Sequence, residues 1–289
     1  MSALAVVATR AGTTRRSIAA NRYLRALRTG QGLVGVTIVS VVVLLGVIGP
    51  FFTHFDPNAQ SANAFAGSST RHLLGTDEFG RDIFTRAIDG IRIDLILSFV
   101  AVPVATVIGV SIGLQTSTRR FLDIFVQRVF DVIFGFPGFI LAVLLAEIVG
   151  PGLLAIIITI IVFSVPLKSR ITRNAVLQVR DREFVVASRV VGASQRRLLY
   201  RHVLPNILDI LIVQLALSMS LAVFIEGGLS FVGLGIQTPA PSLGNLLNEA
   251  LPYLSLDPLF AIVPMIPIVM LITGFNLVGD ALNRGRAKR

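Results

Sequence analysis

Six runs of apolar residues, separated by short polar stretches, set the pattern of the chain. They extend from Gln31 to Phe52, Leu95 to Leu114, Val132 to Gly150, Gly152 to Leu167, Ile207 to Ile225 and Leu259 to Val278. At 1.5 Å per residue, a helical run of about twenty crosses the roughly 30 Å hydrocarbon layer of a bilayer. The first run holds fourteen Leu, Ile, Val and Phe residues. Each favours insertion by about 0.3–0.6 kcal/mol, which outweighs the few glycines and serines between them. The pattern predicts an all-α membrane protein with six transmembrane helices. A first span over 31–53 is followed by an outer segment over 54–93 and a five-span core over 94–280. The third and fourth runs meet at Gly150, Pro151 and Gly152, turn residues that suit a tight helical hairpin. Prolines 103, 137, 166, 264 and 267 lie in or at the ends of the runs and mark candidate bends. Gly109, Ser111 and Gly113 are small enough for close helix approach at a subunit interface.

The longest polar interruption inside the core is an arginine-rich insert over 168–205. Its second part, from Asp181 to Pro205, reads DREFVVASRVVGASQRRLLYRHVLP. Asp181 is placed to cap a helix whose apolar positions Phe184, Ala187 and Val191 recur at helical spacing. Gly192 then permits a backbone reversal, and Ser194 can start a second short helix. Leu204 and Pro205 close the insert, since proline needs no N–H partner in the first turn of the next helix.

Charge sets the orientation. Of the 26 Lys and Arg residues, only Arg71, Arg81, Arg86 and Arg92 fall on one side of the alternating spans, accompanied by six acids from Asp56 to Asp94. All others fall in the arm over 1–30, the loop after the second run, the 168–205 insert and the tail over 281–289. By the positive-inside rule both termini and the insert are cytoplasmic. The six arginines of the N-terminal arm precede a run too long for a signal-peptide core, so the first span is read as uncleaved. A mean hydropathy of +0.79 and 54% hydrophobic content place the chain in a lipid bilayer. The net charge of +10 is explained by this topology and not by nucleic-acid binding. There are no cysteines, and His54, His72 and His202 stand apart, which gives no metal site. Leu167 and Val162 stand where a phosphate loop ending in Lys168 and Ser169 would need glycine, so the chain has no means of hydrolysing ATP.

Two outer stretches also carry chemistry. In LGTDEFGRD, Thr76 and Asp77 can accept backbone hydrogen bonds in a turn, Gly80 supplies backbone freedom, and Arg81 can pair with Asp77 or Asp82. After the fifth run come Glu226, Ser230, Phe231, Gly233 and Gly235. The glycines at 227, 228, 233 and 235 predict a broken helix that folds back at the outer surface.

The insert resembles the cytoplasmic coupling loop of ABC-importer permeases, in which a Glu-Ala-Ala triplet leads to glycine and then Leu-Pro. Here the triplet is Val186, Ala187, Ser188, with Gly192, Leu204 and Pro205 at the family's spacing. The family glutamate is absent, and Glu183 lies one helical turn earlier, placed to supply that charge. The HVLPN ending, the LGTDEFGRD stretch and the LSFVGLG stretch together resemble the dipeptide, oligopeptide and nickel branch, with Leu243 where that branch often has tryptophan. The resemblance implies a type I ABC importer permease fold and a non-catalytic subunit in a bacterial cytoplasmic membrane. It implies a sister permease subunit, two ATPase subunits or one fused ATPase using ATP and Mg, and an extracytoplasmic substrate-binding protein. It implies ATPase coupling through Glu183, Val186, Ala187, Ser188, Gly192, Ala193, Ser194, Arg197, Leu204 and Pro205. Gate or binding-protein contacts fall to Gly75, Thr76, Asp77, Gly80, Arg81, Asp82, Glu226, Ser230, Phe231, Gly233 and Gly235. Di- or oligopeptides are the expected cargo, with nickel, glutathione or another small solute as the alternative. An ion-coupled secondary transporter would place a carboxylate at mid-membrane. Glu147 and Asp209 both fall near span ends instead.

Overall fold

The computed structural model describes residues 23–287. The arginines before residue 23 and the last two residues lie outside that range. Among the described residues the fold is helical, with one isolated β-bridge between Thr76 and Asp82. The helices are α1 (Gly30–Ile48), α2 (Ile83–Ile96), α3 (Val102–Thr116), α4 (Arg120–Gly135), α5 (Gly138–Val149) and α6 (Leu153–Val179), followed by α7 (Glu183–Val190), α8 (Gln195–Arg197), α9 (Leu204–Phe231), α10 (Leu243–Ala250) and α11 (Pro258–Ala287). Five helical stretches are long and apolar enough to cross a membrane, and α4 with α5 make a sixth if the bent pair is one span.

The bend is 96° and divides the run expected to form the third span. Proline disfavours the helical conformation in the residue before it. Phe136 accordingly adopts an extended backbone (φ −84°, ψ 138°), and α5 restarts behind Pro137. Two other prolines are absorbed without a break. Wide π-helical turns at Leu97–Ala101 and Leu198–Val203 immediately precede Pro103 and Pro205. A proline ring collides with the carbonyl four residues earlier, here Phe99 and Arg201, and widening that turn moves the carbonyl aside. Hence α2 and α3 form one long span, as do α8 and α9. Pro166, Pro264 and Pro267 lie inside uninterrupted helices.

Several helices continue past the polar residues expected to end them. α6 runs on to Val179, so the insert expected from Lys168 begins as helix, with Lys168, Ser169 and Thr172 all buried. α9 continues through Gly227 and Gly228 and stops only at Phe231, correcting the expectation of a helix broken by those glycines. α3 packs along α6, and α11 packs against both α1 and α9. Gly109 and Gly113 face α6 inside this chain and not a subunit interface. A Cβ at Gly109 would stand 2.6 Å from Cβ of Lys168, and one at Gly113 would stand 2.5 Å from the Ser169 carbonyl oxygen. The main core joins α1, α2, α3, α5, α6, α9 and α11 around Val42, Leu97, Ile156, Ile160, Val223 and Leu271.

Candidate functional site

The insert is built on a small apolar foundation. Val185 of α7 is fully buried among Val176, Val179, Leu198, Leu199, Val203 and Ile207, which fixes one face of α7 against α6 and the π turn. The opposite face is open, with Val190 and Val191 more than four-fifths exposed. Asp181 does not cap α7. The cap position belongs to Arg182, and Asp181 pairs with Arg180 in the preceding turn. At the other end Gly192 has φ +80°. Its N–H donates to the Arg189 carbonyl at 2.9 Å, and Ala193 N–H donates to the Ser188 carbonyl at 3.1 Å. This is the Schellman arrangement that closes a helix with a left-handed residue. Ser194 then caps α8, its hydroxyl accepting from Arg197 N–H.

This geometry brings together part of the expected coupling set. Ala187, Ser188, Gly192, Ala193 and Arg197 line an open depression of about 370 Å³ with Val191 and His202. Ser194 and Arg197 border an adjoining depression with Arg196 and Tyr200. Glu183 lies in the first turn of α7, where a carboxylate suits the helix dipole, and Val186 is exposed beside it. Leu204 packs against the foundation and Pro205 begins α9, so both support the loop from outside the depression.

At the opposite end, the outer motif folds into a buried ionic knot. Asp77 is fully buried. Its Oδ1 accepts from the N–H groups of Phe79 and Arg81, both at 2.9 Å, and its Oδ2 accepts from Arg81 Nε at 2.6 Å. Arg81 and Arg86 each donate to Glu249 Oε2 at 2.9 Å. The knot therefore ties the outer segment and α2 to α10. Burial raises the Glu78 carboxyl above the ordinary carboxylate range, with Asp77 and Glu249 adding to the effect against its backbone hydrogen bond and Arg81. Asp82 caps α2 through Thr85 N–H at 2.8 Å and also meets His72 Nδ1 at 2.9 Å. Gly75 (φ +82°) and Gly80 (φ +69°) make the turns between them. Thr76 holds the segment by donating to the Asn63 carbonyl.

The second outer stretch ends α9 with the same capping geometry as the insert. Gly233 (φ +83°) donates to the Ser230 carbonyl, and Leu234 N–H donates to that of Leu229. The Ser230 hydroxyl donates to Glu226 at 2.8 Å and accepts from Ile236 N–H. Gly235 lies against Ser230, and the Phe231 carbonyl accepts from Asn248 Nδ2. α10 then crosses back over α9, with a Cβ at Gly244 only 2.6 Å from the Gly227 carbonyl oxygen.

Residues 105–289 match the family model of the binding-protein-dependent transport system inner membrane component, which is more than half of the chain. The chain belongs to this family. Among curated relatives, the dipeptide transport system permease protein DppC of Alkalihalophilus pseudofirmus is 34% identical, over 86% of this chain and 83% of that one. DppC of Haemophilus influenzae is 33% identical, over 86% and 88%. A putative peptide permease protein of Brucella suis is 37% identical, over 91% and 87%. Among solved structures, the inward-facing MetNI methionine ABC transporter superposes with a TM-score of 0.58 at 24% identity, covering 70% of this chain and 96% of that one. That likeness concerns the fold, an ABC-importer permease arrangement of helices.

In this inner membrane component, sequence reasoning missed three buried charges, Arg86, Asp94 and Lys168, and the partly buried Glu249. Arg86 and Asp94 were counted as outer-segment charges, yet both are wholly buried on α2. Lys168 is wholly buried and donates from Nζ to the Gln214 carbonyl of α9. Their spacing held a signal. Arg86, Gly90 and Asp94 recur every four residues, the period of one helix face. Glu249 carried no comparable signal, because its partners stand 168 and 163 residues away.

Proposed function

We propose that this chain is the membrane-spanning, non-catalytic permease subunit of an ATP-driven importer of di- or oligopeptides. It sits in a bacterial cytoplasmic membrane with both termini cytoplasmic. The cargo follows the printed names of the curated relatives, which are dipeptide and peptide permeases. Substrate passes between this chain and a sister permease subunit. Two ATPase subunits, or one fused ATPase, bind ATP and Mg and press against the insert, and an extracytoplasmic binding protein delivers the solute. ATP binding closes the ATPases, moves α7 and α8, and opens the pathway outward.

The observation that carries this reading is the exposed depression around Gly192. It is held rigidly from behind by Val185 and open in front. The outer residues from Gly75 to Asp82 act in this proposal by anchoring α10 through the ionic knot. Thr76, Asp77, Arg81 and Asp82 are buried, and Phe79 offers the exposed contact surface.

Gly192 provides the test. Its positive φ penalises any side chain by about 1–2 kcal/mol, and alanine and leucine share that penalty. No described residue lies within 4 Å of a Cβ placed there, so in this proposal a difference between alanine and leucine is read as contact with a partner's surface. In vesicles reconstituted with the copurifying complex, Gly192→Ala is expected to retain most uptake. Gly192→Leu is expected to lose it while the binding protein still captures substrate. Equal uptake by both variants would make the insert a mere connector. The chain purified alone is expected to show no ATPase activity.

A further inference from the structure

Asp94, in the last turn of α2, and Glu226, five residues before the end of α9, are both wholly buried. Glu226 Oε1 accepts from the Ser230 hydroxyl at 2.8 Å, and the Ser242 hydroxyl also reaches its carboxyl. Among the described residues no donor reaches Glu226 Oε2 or either oxygen of Asp94. The group within hydrogen-bonding reach of Asp94 is the Glu226 carboxyl itself. One turn further on, Ser98 is also wholly buried with an unpartnered hydroxyl.

Among the described residues no cation balances this pair. Arg86 lies two turns outward on α2, about 12 Å along the axis, and is engaged by Asp77 and Glu249. Arg92 and Asp89 pair with each other on the exposed face of α2. On α9 the other charged residue is Asp209, near the cytoplasmic end. α1 and α3 carry no charge, and α6 carries none outward of Lys168. α11 carries none outward of Asp280, and α10 carries Glu249 alone, held by Arg81 and Arg86. Two ionised carboxylates can only accept hydrogen bonds, and they repel across a site buried from bulk solvent. One proton turns one of them into a donor and joins the two.

We propose that Asp94 and Glu226 form a buried proton site, in which one shared proton clasps α2 to the outer end of α9. The clasp lies directly beneath the crossing of α10 over α9 at Gly227 and Gly244. Parting the two helices there wets both carboxyls, each then ionises in its ordinary range, and the proton leaves. The clasped arrangement thus binds one more proton than the parted one. Between the ordinary carboxyl range and the pH at which the clasp itself loses its proton, each unit shifts the balance about tenfold toward the parted arrangement. This inference rests on the pair alone, so it and the docking reading of the insert can fail separately.

The test uses the full chain in the complex with which it copurifies, unmodified and as Asp94→Asn or Glu226→Gln. Infrared difference spectra across a step from mildly acidic to alkaline buffer, repeated in D2O, are expected to show the carbonyl stretch of a protonated carboxyl in the unmodified complex. That band should be lost in either variant, because the introduced amide donates to the remaining carboxylate. The thermal midpoint of the unmodified complex should fall across the same step, and those of both variants should stay level. Absence of the band from the unmodified complex overturns the proposal, as does a band that survives both substitutions. A midpoint that tracks sodium concentration and not pH also overturns it, in favour of a bound cation. If neither variant assembles, the band and its loss on alkaline titration are read in Glu78→Gln, which removes the other carboxyl that burial raises, and absence of the band there overturns the proposal.

Discussion

Glu249 shows how much one carboxylate can hold together. It accepts from both Arg81 and Arg86, and with Asp77 it neutralises two guanidinium groups that are almost completely buried. Removing one partner from such a network leaves uncompensated charge in a poorly solvated place, which costs about 3–5 kcal/mol. Glu249→Ala is therefore expected to lower the thermal midpoint of the purified protein sharply. A Glu249→Ala midpoint equal to the unmodified one would show that water reaches the knot. The effect reaches function indirectly, because the knot sets where α10 lies on α9.

Helix packing depends on which glycines are crowded. Gly113 faces the Ser169 carbonyl oxygen and Thr172 Cβ across the α3–α6 contact, whereas no neighbour lies within 4 Å of a Cβ at Gly228. Gly113→Val must push two helix backbones apart, and overpacking of this kind costs about 1–3 kcal/mol. Gly228→Ala meets open space inside a helix and is expected to stabilise by about 0.5–1 kcal/mol. Thermal unfolding of the two variants side by side tests the assignment, which fails if they shift in the same direction. Both substitutions replace glycine in an apolar helix, so propensity alone would make both stabilising, and packing separates them in sign.

For the whole molecule, orientation is the property with the most consequences, because it decides which end could meet the ATPase subunits of the proposed importer. The absence of cysteine makes it directly measurable. A single cysteine at the exposed Gln195 is expected to react with an impermeant thiol reagent only from the cytoplasm, and one at the exposed Ser68 only from outside. The opposite labelling would reverse the sidedness derived from charge. By itself, the sequence determined the features that local chemistry decides. Apolar runs of roughly the length that crosses the hydrocarbon layer marked the membrane helices, although the third run is bent by 96° into α4 and α5. Glycines 80 and 192 marked left-handed turns, Ser194 marked a helix start, and Pro205 marked the first turn of α9. Tertiary structure decided where charge could be hidden. Polarity suggested that helices end at Lys168 and begin after Asp94, yet both residues lie inside helices because neighbouring helices replace water around them. The pairing of Asp94 with Glu226, and of Arg81 with Glu249, joins residues more than a hundred positions apart. No local pattern encodes such partners, since the packing of α2, α9 and α10 alone brings them into contact.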